Sequence, residues 1–193
     1  TETNILDVRR QKRSDFEAKG VACFPALDTP PDFRLSKSLQ DEFGEESRED
    51  LEARKLAGTA AVVTVAGRIL LHRSFGKATF LTIQDRAGRI QIYAQKPILG
   101  EAVYDLIKHL DLGDIVMAEG SIFKTKTGEL TVDATSFRLL TKNLRPLPEK
   151  FHGLQDVEAR YRKRYLDLIS NDKARDVFRV RARIVQEIRN FFL

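Results

Sequence analysis

At Thr59 the apolar residues of this chain stop recurring every three or four positions and begin to alternate, and they do so until Lys142. Alternation places successive side chains on opposite faces of an extended strand, so this stretch reads as a sheet with one buried face. Five strands can be placed. Residues 61–73 put Val63, Val65, Gly67, Ile69 and Leu71 on one face, and the mid-strand Gly67 predicts a bend or bulge that lets one long strand serve both sides of a small barrel. Residues 77–85 and 89–94 are joined by the short turn DRAG, and 114–124 and 129–140 by KTKTG. Between the two groups, residues 99–110 carry Val103, Leu106, Ile107 and Leu110 at helical spacing.

Three meandering strands, a helix and a hairpin follow the order of the five-stranded, partly open OB-fold barrel, which binds single strands across strands two and three and the adjoining loops. Other small barrels share part of that order, and the helix between strands three and four favours the OB-fold. Helical patterns flank it. Residues 4–19 form a helix stopped by Gly20, the Pro25, Pro30 and Pro31 connector (24–34) follows, and helices over 36–43 and 47–57 end at Gly58. Beyond a linker at 143–156 stiffened by Pro146 and Pro148, helices are expected at 157–169 and 172–193, the last capped by Asn171 or Asp172. The expected fold is an all-β five-stranded OB-fold barrel (59–142) between an N-terminal helical extension (1–58) and C-terminal helices (157–193), α+β overall.

The net charge of +5 is uneven: −3 over residues 1–57, +3 over 58–142 and +5 over 143–193. A basic middle and tail suit a polyanion, although a modest positive balance also describes an ordinary solvated surface. No apolar run approaches the length of a membrane span, and the first residues hold no apolar stretch for a signal peptide. The lone Cys23 rules out an internal disulfide and fits a reducing cytoplasm.

Alternation also selects the residues that could read RNA. Thr79, Leu81 and Ile83 point inward on strand two, leaving Phe80 outward on a mostly polar face; on strand three Ile90, Ile92 and Ala94 point in, and Arg89, Gln91 and Tyr93 point out. An outward aromatic beside an amide and a guanidinium makes a base-stacking platform with a hydrogen-bonding rim. The plain alternative is that Phe80 packs under the 73–77 loop or against the N-terminal helices. Arg73 and Lys77 flank that loop, where such barrels meet ligands, and would otherwise be loop charges kept in water. Glu129, opening the last strand, reads by itself as a solvated residue.

The segments GRI (67–69), GKATFLTIQD (76–85), GRIQIY (88–93), DLGD (111–114), FKTKTGEL (123–130) and RLLTKNLRPLPEKFHGLQD (138–156) resemble those of the lysyl-tRNA synthetases, class II lysine–tRNA ligases. Aspartyl and asparaginyl synthetases share the barrel, the Phe and the Gln, whereas KFHGL (150–154) and RYRKRYLDLI (160–169) favour the lysine family. The resemblance implies that the barrel binds the anticodon loop of lysine tRNA. In it Phe80 stacks on the middle uracil, Gln91 and Arg73 touch bases of the triplet with Lys77 and Arg89 beside them, and Glu129 reads a neighbouring uracil. Arg9, Arg10 and Arg13 of the first helix would lie along the tRNA backbone.

Catalytic chemistry is not visible. No phosphate-binding glycine loop occurs, and His72, His109 and His152 lack partners at metal-ligand or nucleophile spacing. The resemblance implies that ATP and Mg²⁺ serve the full-length enzyme, outside this stretch. The last helix has an apolar face of Val177, Val180, Ile184, Ile188 and Phe191; the resemblance makes it the motif 1 helix of a homodimer interface, while a helix packed as a plain core element is the simpler reading. With no Met at the start and no helix stop before Leu193, the expectation is a piece of a longer chain that lacks the catalytic core. Two other functions fit the pattern: a stand-alone single-strand binder and a protein-interaction scaffold.

Overall fold

The computed structural model describes residues 2–26, 30, 32–148, 154 and 156–193. Pro31, His152 and most of the KFHGL stretch lie outside the described residues. The chain divides into two units, Thr1–Pro146 and Leu147–Leu193.

In the first unit, helices α1 (Glu2–Ala18), α2 (Ser36–Phe43) and α3 (Arg48–Leu56) precede a closed barrel. Its strands are β1 (Val62–Phe75), β2 (Ala78–Gln84), β3 (Arg89–Gln95), β4 (Ile115–Lys124) and β5 (Leu130–Thr141), in the spatial order β1-β2-β3-β5-β4. All pairs are antiparallel except β3 with β5. This is the OB-fold arrangement the alternation predicts. Inside, Val63, Val65, Ile69, Leu81, Ile83, Ile90, Ile92, Val116, Ile122 and Val132 are all but inaccessible, and Phe16, Leu39, Phe43 and Leu51 of the three helices join the same core. The helices are therefore part of the barrel's hydrophobic unit, because their apolar stripes have nowhere else to be buried.

β1 does serve both sides: Val62–Arg68 pairs with β4 and Arg68–Phe75 with β2. The irregularity in its pairing falls at Leu70, however, between Ile69 and Leu71, and not at Gly67. Gly67 answers a different need. A Cβ there would lie 2.7 Å from the Gln84 carbonyl oxygen, where the two backbones cross closely. The extra residue at Leu70 also reverses the alternation beyond it, so Leu71 pairs with Thr82 on the outer face instead of pointing into the core. Gly120 of β4 is tighter still, its missing Cβ falling 2.0 Å from the Asp133 carbonyl oxygen. Backbone cannot swing aside as a side-chain tip can. Gly120→Ala is expected to cost about 1–3 kcal/mol or more of stability by overpacking, read as a lower denaturant midpoint; an unchanged midpoint would disprove the close approach.

The helix expected over 99–110 is two pieces, α4 (Lys96–Leu99) and α5 (Glu101–Lys108), separated by Gly100 at φ 79°, a conformation no helix continues through. Leu106, Ile107 and Leu110 still pack on the barrel.

In the second unit, α6 (Val157–Arg162) and α7 (Arg164–Ser170) replace a single helix, the break being Lys163 at φ −116°, ψ 49°. Helix α8 (Asp172–Phe192) begins as expected, with the Asn171 side chain accepting from the Ala174 N–H at 3.2 Å. Its Val177, Val180, Ile184, Ile188 and Phe191 are all exposed. No helix among the described residues is long and apolar enough to cross a membrane.

Candidate nucleic-acid interface

The reversal at Leu70 places Arg73 directly opposite Phe80, and Phe80 lies directly opposite Tyr93, so the three occupy one row across the outer face of β1, β2 and β3. The next row down is Leu71, Thr82 and Gln91. Arg73, expected at the end of the first strand beside the loop, thus stands within β1, on the outer face.

Phe80 is half-buried and belongs to an aromatic strip. Its ring stacks on Tyr93 at 4.6 Å and 28°, and Phe75 meets it edge-on at 6.3 Å. Tyr93 in turn contacts Phe123 of β4 at 6.0 Å. Phe80, Tyr93 and Phe123 floor an open groove of about 340 Å³ walled by Arg48, Glu52 and Lys55 of α3 and by Lys124, Thr125 and Lys126 of the β4–β5 hairpin. Phe80 is therefore neither sealed beneath the 73–77 loop nor an isolated shelf: one face is taken by Tyr93, and the rest of the ring borders the groove.

Gln91 shares that outer face but is only 8% exposed, because β5 lies alongside. Its amide is fixed by two contacts: Nε2 donates to Glu129 Oε2 at 2.8 Å, and the Thr131 hydroxyl donates to Oε1 at 3.0 Å. Glu129 itself is exposed. The result is an amide N–H and a carboxylate side by side at the rim, a donor and an acceptor in fixed order. Arg89 lies at the start of β3 with Nε donating to Gln84 Oε1 at 3.1 Å. Arg73 and Lys77 are exposed, and their side chains have no hydrogen bond or ion pair with the described residues.

The three arginines of α1 are placed differently from one another. Arg9 reaches the carbonyls of Asn143 and Leu112 at 3.2 and 3.3 Å and so ties α1 to the barrel. Arg10 pairs with Asp7 at 3.4 Å, and Arg13 pairs with Glu17 at 2.8 Å, its guanidinium raised above its ordinary value by that partner. Arg10 remains largely in solvent, and Arg13 is half-buried with its guanidinium 5.9 Å from the centre of the Phe24 ring.

Several site residues were not singled out by sequence reasoning. Phe75 and Phe123 stand on the strip, Lys55 holds its ammonium 5.7 Å above the Phe123 ring, and the same ammonium pairs with Asp133, which Gln95 also reaches at 3.3 Å. Phe123 could have been found, since it shares the outward parity of Met117 and Glu119 on β4. Lys55 and Asp133 meet only through tertiary packing. Among the described residues no cluster of three His, Cys, Asp or Glu side chains is arranged to hold a metal ion.

Comparison with known proteins agrees with this geometry. Residues 63–140 match the family model of an OB-fold nucleic acid binding domain of the tRNA anticodon type. Curated relatives are lysine–tRNA ligases: that of Escherichia coli K12 is 50% identical over 98% of this chain, that of Yersinia enterocolitica 50% over 97% of it, and that of Aromatoleum aromaticum 48% over 100% of it. The chain spans only 36–37% of the length of each of these relatives.

Proposed function

We propose that this chain, whose residues 63–140 match the OB-fold nucleic acid binding domain of the tRNA anticodon type, is the anticodon-reading part of a lysine–tRNA ligase. Its partner is the anticodon loop of lysine tRNA. The observation that carries this is the aromatic strip running into the paired Gln91 and Glu129, because it joins a base-tolerant platform to a base-selective rim. A base on Phe80 gains roughly 1–3 kcal/mol whatever its identity. Uracil presents an N3–H donor beside carbonyl acceptors; Glu129 accepts from the first, and the second N–H of the Gln91 amide, not used by Glu129, donates to a carbonyl. Cytosine turns an unprotonated N3 toward the carboxylate and is rejected. Arg73 and Lys77 at one end of the row, with Arg89, the exposed Arg10 and the half-buried Arg13, draw in the phosphates.

By the same proposal the longer protein activates lysine with ATP and Mg²⁺, transfers it to the tRNA, and acts in the cytoplasm as a homodimer in which the apolar face of α8 (Val177, Val180, Ile184, Ile188, Phe191) is covered. This chain's share of the work is to hold the anticodon.

Anticodon stem-loops carrying UUU or UCU test the reading, with binding followed by fluorescence anisotropy. UUU is expected to bind more tightly. Gln91→Ala should shrink the UUU:UCU ratio by about tenfold, within the ~1–3 kcal/mol that a buried, unsatisfied polar group costs. Equal affinity of the unaltered chain for both loops would instead identify a sequence-tolerant single-strand binder.

A further inference from the structure

The barrel face accounts for stacking and for base choice, yet one entire wall of the groove comes from α3, outside the OB-fold. Helix α3 starts at Ser47, whose hydroxyl accepts from the Asp50 N–H at 3.1 Å, and it packs against β4 with Leu51 buried in the core. That anchoring turns Arg48, Glu52 and Lys55, spaced at helical intervals, toward the groove. Lys124, Thr125 and Lys126 of the β4–β5 hairpin complete the lining.

The four cations are not equivalent. Lys55 is committed to Asp133 and to the Phe123 ring, so it holds the far end of the aromatic strip in place. Lys124 donates to the carbonyls of Gly44 and Glu46 at 2.7 and 2.5 Å, fastening the turn before α3 to the barrel. Among the described residues the Arg48 side chain pairs only with Glu52, at 3.7 Å with both side chains well exposed, a pair of little strength in water. Lys126 is exposed, and its side chain has no hydrogen bond or ion pair with the described residues. The groove thus has aromatic rings and two weakly committed positive groups in its lining, one on α3 and one on the β4–β5 hairpin.

We propose that α3 and the β4–β5 hairpin form a phosphate clamp, in which Arg48 and Lys126 take the backbone of the nucleotide seated on Tyr93 and Phe123. Lys55 is a positioning residue for that seat. The occupant is a single-stranded ribonucleotide next in the chain to the one on Phe80, because the groove that Phe80 borders is lined further on by Tyr93 and Phe123 and successive bases of one strand can stack on successive aromatic side chains. The positive walls complement its phosphate, and Glu52 turns aside a phosphate placed out of register. This inference rests on the anticodon reading and adds the helical extension to the recognition surface.

The two fail in different ways. With the UUU stem-loop as probe, Arg48→Ala and Lys126→Ala should each lower the salt dependence of log K by about 0.7, which is about a fivefold loss of affinity at 0.1 M salt, and the double variant by about twice that slope. The UUU:UCU ratio should stay constant, and Arg48→Lys should restore most of the slope. Circular dichroism melting of each variant identifies any loss caused by unfolding, and Lys126→Ala, on an exposed hairpin tip, supplies a second variant with no packing role. If the unaltered chain binds and discriminates while both variants keep its affinity and slope, the clamp is wrong and the anticodon reading stands. If the unaltered chain fails to discriminate, that reading falls, and only the salt slopes then bear on the clamp.

Discussion

Phe80→Ala weakens the binding of UUU and UCU stem-loops alike, by about one to two orders of magnitude, and leaves their ratio close to that of the unaltered chain. This follows from what the ring contributes. A stacked base loses the roughly 1–3 kcal/mol of one aromatic platform, and because every base has a π face the loss is indifferent to sequence. The selective contacts lie one row down, on Gln91 and Glu129, whose 2.8 Å hydrogen bond and anchor on Thr131 do not involve Phe80. Tyr93 does depend on it, since the two rings stack at 4.6 Å. Some widening of the groove therefore adds to the loss. Phe80→Leu, which keeps apolar volume without a π face, separates the two contributions: if it binds as well as Phe80, packing and not stacking is the contribution. A loss confined to UUU would assign Phe80 to base selection and sink the proposed division between platform and rim.

How much of this was legible in the chain depends on which residues carry it. Phe80, Arg89, Gln91 and Tyr93 face outward as their alternation requires, because β2 and β3 pair without a break from Ala78↔Gln95 to Gln84↔Arg89. Arg73 could not be placed by parity. Counting by twos from Val63 sends it into the core, and only the extra residue at Leu70 returns it to the row of Phe80. A bulge is a compromise between two strands' backbones, and Gly67, the residue that invited one, was needed for the approach of Gln84 instead. The burial of Gln91 depends on β5 lying parallel to β3, a pairing between strands separated by α4, α5 and β4 in the sequence. The same holds for Lys55 and Asp133, 78 residues apart. Local periodicity reports faces; it is silent on register and on which distant strand will cover a face.

The largest stability effect is expected far from the groove, at Lys142→Met. Lys142 leaves β5 into the interior and is 1% exposed, with its ammonium 2.8 Å from Asp114 Oδ2 and 2.5 Å from Asp111 Oδ2. Asp114 is itself inaccessible and also accepts from the backbone N–H groups of Asp111 and Asn143, at 2.8 and 2.7 Å. Lys12 of α1 completes the group, 2.6 Å from Asp111. Two carboxylates and two ammoniums thus join α1, the loop before β4 and the end of β5, where Arg9 adds its ties to Leu112 and Asn143. Methionine preserves the length and apolar stem of the lysine and removes only the charge. Leaving a buried partner uncompensated costs about 3–5 kcal/mol, a large part of the 5–15 kcal/mol by which a domain is stable. Adding Asp114→Asn to Lys142→Met should recover part of that loss, since no buried charge is then stranded beside Asp111 and Lys12. Acid titration gives an independent check. Burial pushes the Asp111 carboxyl up, but the hydrogen bonds from Lys12 and Lys142 outweigh it and hold the group below the usual carboxylate range. A carboxyl depressed in the folded state stabilises above its unfolded pKa, and that contribution is lost as pH falls through its folded pKa. The unaltered chain should therefore lose stability below the usual carboxylate range, and Lys142→Met should lose less over the same interval. Denaturant midpoints at neutral and acid pH decide it: a deficit under about 1 kcal/mol at neutral pH would mean that Asp114 is reached by water and that the barrel's exit is not held by a buried charge cluster.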